Sequence, residues 1–423
     1  MSWRDRRSTL NLSTQQMQGW VRSSSCVVQI SVQSTEVKIV PAPTIKFSTL
    51  VGVGVEDEII GTGWGDLKKL RKWLSDKDDL VLGYFSYELK NLLENLESIN
   101  PDRIAFPLFH FFVPRMVYFV GSDGLECYHH GEIPNHVDLQ GSAKSGKVGC
   151  LKLQQRKEEY VNKVQKLQKH IQLGDIYEVN YCVEHGFEET IIDPYRLYQE
   201  LQEASPAPFS CYVAHNGKYL MSSSPERFMR KSGNTLVSQP MKGTNRKTAD
   251  NETQKASLRN DLKEVAENVM ITDLVRNDLS KSAKKGSVKV DELCGIYEFE
   301  HVNQMISKVS AVLRDDVHPL DAILNAFPMG SMTGAPKIRA MELIDEQENF
   351  SRGLYSGAVG YFTPDLDFDF NVVIRSILYN EQKKVVTFPT GSAITINSDP
   401  EKEYDECMLK AEVMRKVLLN HAK

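Results

Sequence analysis

The chain has 423 residues, 41% hydrophobic and 25% charged, with a net charge of −5: an ordinary globular profile, long enough for about two or three domains of ~150 residues each or for one composite sheet domain. Lys and Arg are scattered rather than gathered into a basic stripe, which argues against nucleic acid and leaves a small anionic substrate to be met by a local positive pocket. The seven cysteines (Cys26, Cys127, Cys150, Cys182, Cys211, Cys294, Cys407) include no C-x-x-C pair, no apolar run approaches the ~18 residues of a membrane span, and no secretory h-region follows the charged N-terminus, so reduced thiols and a cytoplasmic location are expected.

Residues 1–140 read as a strand-rich N-terminal region. "CVVQISV" (26–32), "EVKIV" (36–40), "LVLGYFSYEL" (80–89) and "FHFFVPRMVYFV" (109–120, interrupted by Pro114) are its strands. "GSAKSGKVG" (141–149), small, flexible and basic, is the expected linker to a second region, 150–423. There, Tyr160, Val161, Val164, Leu167 and Ile171 recur at helical spacing and Gly174 supplies the C-cap. "DIYEVNYCVEHGF" (175–187) alternates like a strand. Helices are expected over 256–275, over 336–348 with Pro336 in the first turn, and from Ser398 or Asp399 to about 419 with Pro400 at the first position. "GAVGYF" and "NVVIRSILYN" complete the core strands. The irregular alternation predicts a mixed α/β (α+β) fold with large, mainly antiparallel sheets rather than a doubly wound parallel sheet.

Several side chains stand out chemically. In "SSSPERFMRKSGNTLVSQPMKGT" (222–244), Glu226 and Lys242 place an acid and an amine beside turn-forming backbone. Glu264 with Glu267, and Glu403 with Glu406, are i, i+3 pairs that each share one helical face. Opposed, they could hold a hard cation such as Mg2+; alone, each pair is more often a solvated face. "FPMGSMTGAPKIRAMELID" (327–345) runs from a Gly/Ser/Thr turn into a helix, which suits either an anion or tight packing, and it fails the P-loop pattern. Arg375, in the apolar "NVVIRSILY", needs an anion or an internal ion pair, and Lys410 follows Glu406 by one turn.

Taken together over residues 150–423, "GDIYEVN", "SSSPERF", "PMKGT", "ENVMITDLVRNDLS", "FPMGSMTGAPKIRAMELID", "YSGAVGYF", "IRSIL" and "DPEKEYDECMLKAE" resemble the catalytic domain of the chorismate-utilising enzymes, while 1–140 match less clearly. The resemblance implies sheets in a sandwich flanked by helices, as in anthranilate synthase component I. It implies Mg2+ held by Glu267 and Glu406 with Glu264 and Glu403 in support. Arg375, Tyr355 and Lys410 match residues that hold chorismate's carboxylates, helped by Gly391 and Thr244, and Ser331 and Gln304 join this substrate-facing set. Glu226 matches the general acid that assists departure of the C4 hydroxyl.

Two positions select the reaction within that resemblance. Isochorismate and salicylate synthases carry a lysine base in the G-D-x-x-K string, where this chain has Glu178. Anthranilate synthases have a small residue before Gly-Thr, where this chain has Lys242. The Lys-Gly-Thr form is similar to that of aminodeoxychorismate synthase component I, in which the lysine attacks C2 as the C4 hydroxyl leaves and ammonia then displaces it by attack at C4. Burial beside Mg2+ and arginine is expected to lower the lysine's pKa for that attack. Gln304 replaces a family histidine and cannot carry a proton at neutral pH, Ser331 stands for a threonine, and Ala393 for a glycine. The alternatives are anthranilate synthase component I and a non-catalytic chorismate-binding subunit. The sequence contains no glutaminase nucleophile string, so ammonia is expected from a separate glutamine amidotransferase subunit, with a pyridoxal-phosphate lyase completing p-aminobenzoate for folate synthesis.

Overall fold

A computed structural model describes residues 7–8, 13–37, 45–122, 124–130, 146–299 and 302–421. Among the described residues every strand pairing is antiparallel, and the long strand Phe109–Gly121 is the junction of the main sheet. One of its edges carries Ile45–Gly61; the other forks to Val81–Phe85 and Gly124–His129. From Ile45–Gly61 one arm continues through Cys26–Val37, Cys211–His215, Lys218–Ser222, Ser376–Asn380, Val385–Thr387 and His185–Phe187 to Leu151–Gln154. From Val81–Phe85 the other continues through Ala358–Phe362, Phe368–Asn371, Arg227–Ser232 and Thr235–Ser238 to Val302–Val312, which also pairs with Met241–Arg246 and Lys289–Glu298. The largest core cluster draws on both arms, with Val28, Val213, Leu220 and Leu378 from one and Leu82, Phe362, Phe370 and Leu236 from the other. This is the mixed, mainly antiparallel fold class that the sequence predicts. Strands from before residue 140 and after residue 150 are hydrogen-bonded neighbours in both arms.

Local sequence explains most element ends. The helix Lys157–Leu173 stops at Gly174, whose φ of +84° is the left-handed conformation that glycine adopts without a Cβ clash. Pro114 does not break Phe109–Gly121: it lies opposite Val55, beside a register shift in the partner strand, where a missing N–H costs little. The single helix expected over 256–275 is two, Asn251–Asn260 and Leu262–Ser280, because the Asp261 carboxylate accepts from the N–H groups of Lys263 and Glu264 and starts the second one. The last helix is Pro400–His421. Expected strands 26–32 and 36–40 are one strand as far as Val37, and 38–40 lie outside the described residues, as do 141–145 of the expected linker.

Two corrections position the site. The expected strand 175–187 divides between two sheets: His185–Phe187 joins the main sheet, whereas Glu178–Val183 forms a small sheet with Gly334–Ala335 and Thr390–Ile394. The expected strand through "NVVIRSILYN" is interrupted, with Arg375 at a φ of +49° between Phe368–Asn371 and Ser376–Asn380. Buried Arg352 ties the small sheet to its surroundings. It donates to both Glu348 carboxylate oxygens at 2.9 and 2.6 Å, to the Met332 carbonyl at 2.7 Å and to the Asn180 carbonyl at 2.8 Å. Glu348 in turn accepts from the Cys182 N–H at 2.9 Å.

Candidate active site

The site forms where the small sheet, the strand Met241–Arg246 and the helices Leu262–Ser280 and Pro400–His421 converge. Leu262–Ser280 packs on Met241–Arg246 and Val302–Val312, and Pro400–His421 packs on Thr390–Ile394. Lys242 lies at an irregularity in the pairing of Met241–Arg246 with Val302–Val312, followed by Gly243 at a φ of +93°. A Cβ at Gly243 would meet the Glu264 carboxylate and Met305 Cβ at 3.2 and 3.3 Å, so glycine lets the acidic helix sit close against the lysine segment. The Asn268 side chain donates to the Lys242 carbonyl at 3.0 Å and to the Met305 carbonyl at 3.3 Å, pinning the turn. Asn268 was not anticipated; its only signal was its place beside Glu267 in the ENVMITDLVRND string.

The Lys242 ammonium faces acids. Its Nζ is 3.6 Å from Glu178 Oε1. Burial alone would lower its pKa, but Glu178, Glu267, Glu226 and Glu406 together raise it. The expected lowering is therefore not what the protein groups produce: carboxylates, not Arg375, surround the amine. Glu178, noted in the sequence only as the absence of a lysine base, is 2% exposed; burial raises its pKa against the charge of Lys242.

Glu226 follows Ser224-Pro225 at the entry to Arg227–Ser232. Its N–H donates to Ser224 Oγ at 3.2 Å and its carbonyl accepts from the Val372 N–H at 3.0 Å, which fixes the backbone. Its buried carboxyl accepts from Ser331 Oγ at 2.8 Å. Burial pushes it up to about 7, against the opposing effects of Ser331, Lys242 and Arg375. A carboxyl half-protonated near neutrality suits a general acid. Ser331 thus touches the acid itself, and its carbonyl is held by the Asn180 side chain at 2.8 Å. In the rest of 327–345, Lys337 donates to Asp278 at 2.7 Å and to the Ala326 carbonyl at 2.8 Å, so its charge is internally satisfied.

The remaining predicted residues fall into three groups. Arg375 and Lys410 line one cavity of about 170 Å³ with Ser205, Ser223, Leu409 and Val413. Burial lowers the pKa of Arg375, opposed by Glu226. Tyr355 and Gly391 meet at Cys182: the thiol lies 4.0 Å from the Tyr355 hydroxyl, and a Cβ on Gly391 would come within 2.6 Å of the Cys182 sulfur. Lys410 donates to the Gly391 carbonyl at 2.9 Å. Thr244 donates to Gln304 Oε1 at 2.6 Å, and Gln304 Nε2 donates to the Gly243 carbonyl at 2.7 Å. The glutamine side chain thus ties the Gly243 carbonyl to the Thr244 hydroxyl, next to Lys242.

Lys263 bridges the two acidic helices: its Nζ is 3.1 Å from Glu403 Oε1 and 3.7 Å from Glu267 Oε1. Glu406 pairs with Lys410 at 2.7 Å. Among the described residues no three acidic, imidazole or thiol side chains form a ready metal-binding group. Glu267 Oε1 is nevertheless buried without a hydrogen-bond partner, and burial pushes its carboxyl up to about 7. An all-oxygen donor set with a buried, unsatisfied oxygen fits a hard divalent cation.

The family model for chorismate binding enzymes matches residues 42–416. The chain belongs to that family. It is 38% identical over 273 residues to a probable chloroplastic aminodeoxychorismate synthase of Oryza sativa subsp. japonica, covering 63% of this chain and 30% of that one. It is 30% identical to aminodeoxychorismate synthase component 1 of Bacillus subtilis over 371 residues, covering 80% and 76%. It is 32% identical to anthranilate synthase component 1 of Saccharolobus solfataricus over 387 residues, covering 88% of each. The chain thus spans about a third of the plant relative's length and most of the two prokaryotic ones. The crystal structure of anthranilate synthase component I from Streptococcus pneumoniae superposes with a TM-score of 0.77 at 22% identity, covering 90% of this chain and 94% of that one, which establishes the shared fold. Among the described residues, no helix is long and apolar enough to cross a membrane, and all seven cysteines are free.

Proposed function

We propose that this chain converts chorismate and ammonia to 4-amino-4-deoxychorismate, acting in the cytoplasm as the aminating component of an aminodeoxychorismate synthase. The observation that carries the reading is Lys242, half-buried among carboxylates in the same cluster as Glu226. Relatives of similar identity bear the names of both aminating enzymes, and the reading turns on Lys242 before Gly-Thr in this chain. In this reading Arg375 and Lys410 hold the substrate carboxylates. Glu226 protonates the leaving C4 hydroxyl, Lys242 bonds to C2, and ammonia completes the exchange at C4. Asn268 holds the Lys242 carbonyl, Gln304 holds the adjacent Gly243 carbonyl, and Ser331 orients the acid. Glu267 and Glu406, with Glu264 and Glu403, would hold Mg2+, which when bound supplies positive charge for a substrate carboxylate.

Product identification tests the reading. With chorismate, Mg2+ and an ammonium salt at alkaline pH, the purified chain should yield the 4-amino product; ortho-aminobenzoate would instead establish an anthranilate synthase. Glutamine alone should give nothing until a separate amidotransferase is added.

The metal assignment has its own check. Glu267→Gln and Glu406→Gln should each cut turnover at limiting Mg2+ by ~10-fold or more, through loss of an anionic oxygen donor, with unchanged circular dichroism. Wild-type turnover in both at limiting Mg2+ would remove these residues from the metal site.

A further inference from the structure

We infer that Glu178 is the proton acceptor that converts Lys242 from ammonium to free amine inside the closed site. This rests on the proposed role of Lys242 as nucleophile. The geometry is specific: Glu178 Oε1 lies 3.6 Å from Lys242 Nζ, while Oε2 is buried with no hydrogen-bond partner. The carboxylate is delivered from outside the lysine's own sheet. The strand Glu178–Val183 pairs Glu178 with Ala335 and Val179 with Gly334. A Cβ on Gly334, at a φ of +154°, would come within 2.2 Å of the Glu178 carbonyl, so the backbone approach depends on glycine there. The Asn180 N–H donates to the Thr333 carbonyl at 2.8 Å and anchors the same strand two residues on.

Chemistry requires such a partner. A lysine that enters the reaction as ammonium has no lone pair to offer, and desolvation makes ammonium–carboxylate and amine–carboxylic acid pairs closer in energy than they are in water. Burial favours the neutral form of Glu178, which is the form it takes after accepting the proton. The other charged groups facing Lys242 have separate work: Glu226 is the acid, Glu267 and Glu406 belong to the proposed metal set, and Lys263 and Lys410 bridge or pair with those acids. Arg375 acts on Glu226.

The steps balance. A proton passes from Nζ to Glu178. The Nζ lone pair then bonds to C2, the ring electrons shift, and the C4–O bond breaks as its oxygen takes the Glu226 proton and leaves as water. Ammonia bonds to C4, the C2–N bond breaks to return a neutral lysine amine, and the new C4 ammonium gives its extra proton to Glu226. Glu178 then returns its proton to Nζ.

The test is the rate of covalent adduct formation from chorismate and Mg2+ without ammonia, followed by intact mass as a function of pH. In wild type, proton transfer within the pair makes this rate flat with pH over the range in which Glu178 is ionised and Glu226 is protonated. Glu178→Gln keeps the volume but cannot take the proton, so Lys242 must lose it to solvent. Its rate at neutral pH should fall ~10²-fold or more, and the wild-type to variant ratio should shrink about tenfold per pH unit. Chorismate affinity should not change. Glu178→Asp, which retains a carboxylate, should be slower by a ratio that does not vary with pH. A ratio for Glu178→Gln that is constant with pH, or a neutral-pH rate at or above wild type, overturns the inference while leaving Lys242 as nucleophile. Absence of an adduct in wild type removes the underlying covalent reading and this inference with it.

Discussion

Lys242→Ala should abolish the covalent adduct on this segment and reduce ammonium-dependent amination of chorismate by ~10³-fold or more, because the variant removes the atom that bonds to C2. The substitution leaves Arg375 and Lys410 in their shared cavity and Tyr355 beside Gly391, so chorismate should still bind at near wild-type affinity. The backbone should also persist, since Asn268 holds the residue through its carbonyl rather than its side chain. Peptide mass after incubation with chorismate and Mg2+ decides the matter. An adduct on another lysine would keep covalent catalysis but move it elsewhere. Amination at C4 at the wild-type rate would make Lys242 a bystander.

Glu226→Gln carries the second large effect. The carboxyl is pushed up to about 7 chiefly by burial, and it must be protonated to assist the leaving hydroxyl. In wild type, therefore, adduct formation should be supported below about 7 and fall roughly tenfold per pH unit above it, as the acid form is lost. Measuring the adduct rather than the aminated product keeps the ionisation of ammonia out of the profile. Glu226→Gln still accepts from Ser331 but has no proton to transfer, so the rate at pH 6 should drop ~10²–10⁴-fold and the fall above neutrality should vanish. A variant that keeps the wild-type alkaline fall would assign that titration to another group. Ser331→Ala supplies a control: removing the hydrogen bond that stabilises the carboxylate should move the fall to higher pH without abolishing activity.

The two variants separate the acid from the nucleophile. Lys242→Ala loses the adduct at every pH, whereas Glu226→Gln loses rate mainly where the carboxyl was protonated. The opposite charge preferences of the two groups are set by one desolvated environment, which favours the neutral acid while the cluster of carboxylates favours the charged amine.

Much of this was legible in the residues themselves. Helix ends at Gly174 and Pro400, the composition of a mixed antiparallel fold, and the order of motifs from "GDIYEVN" to "DPEKEYDECMLKAE" are local properties, carried by backbone preference and side-chain type over a few consecutive positions. Those motifs already singled out Glu226, Lys242 and the two glutamate pairs. The long strand Ile45–Gly61 and the helices Trp64–Ser75, Pro194–Ala204 and Pro319–Ala326 escaped the sequence reading, because charged or polar positions such as Asp57 and Glu58 interrupt the apolar pattern and burial is supplied by distant neighbours. Only the tertiary structure brought Glu178 to Lys242 across 64 positions of sequence, placed Ser331 on the Glu226 carboxyl and set Lys263 between Glu267 and Glu403. Residue types named the chemistry, but the ionisation of each group depends on burial and on charges contributed by other strands and helices. Spacing along one chain does not encode those distances; the packing of the small sheet against the acidic helices does.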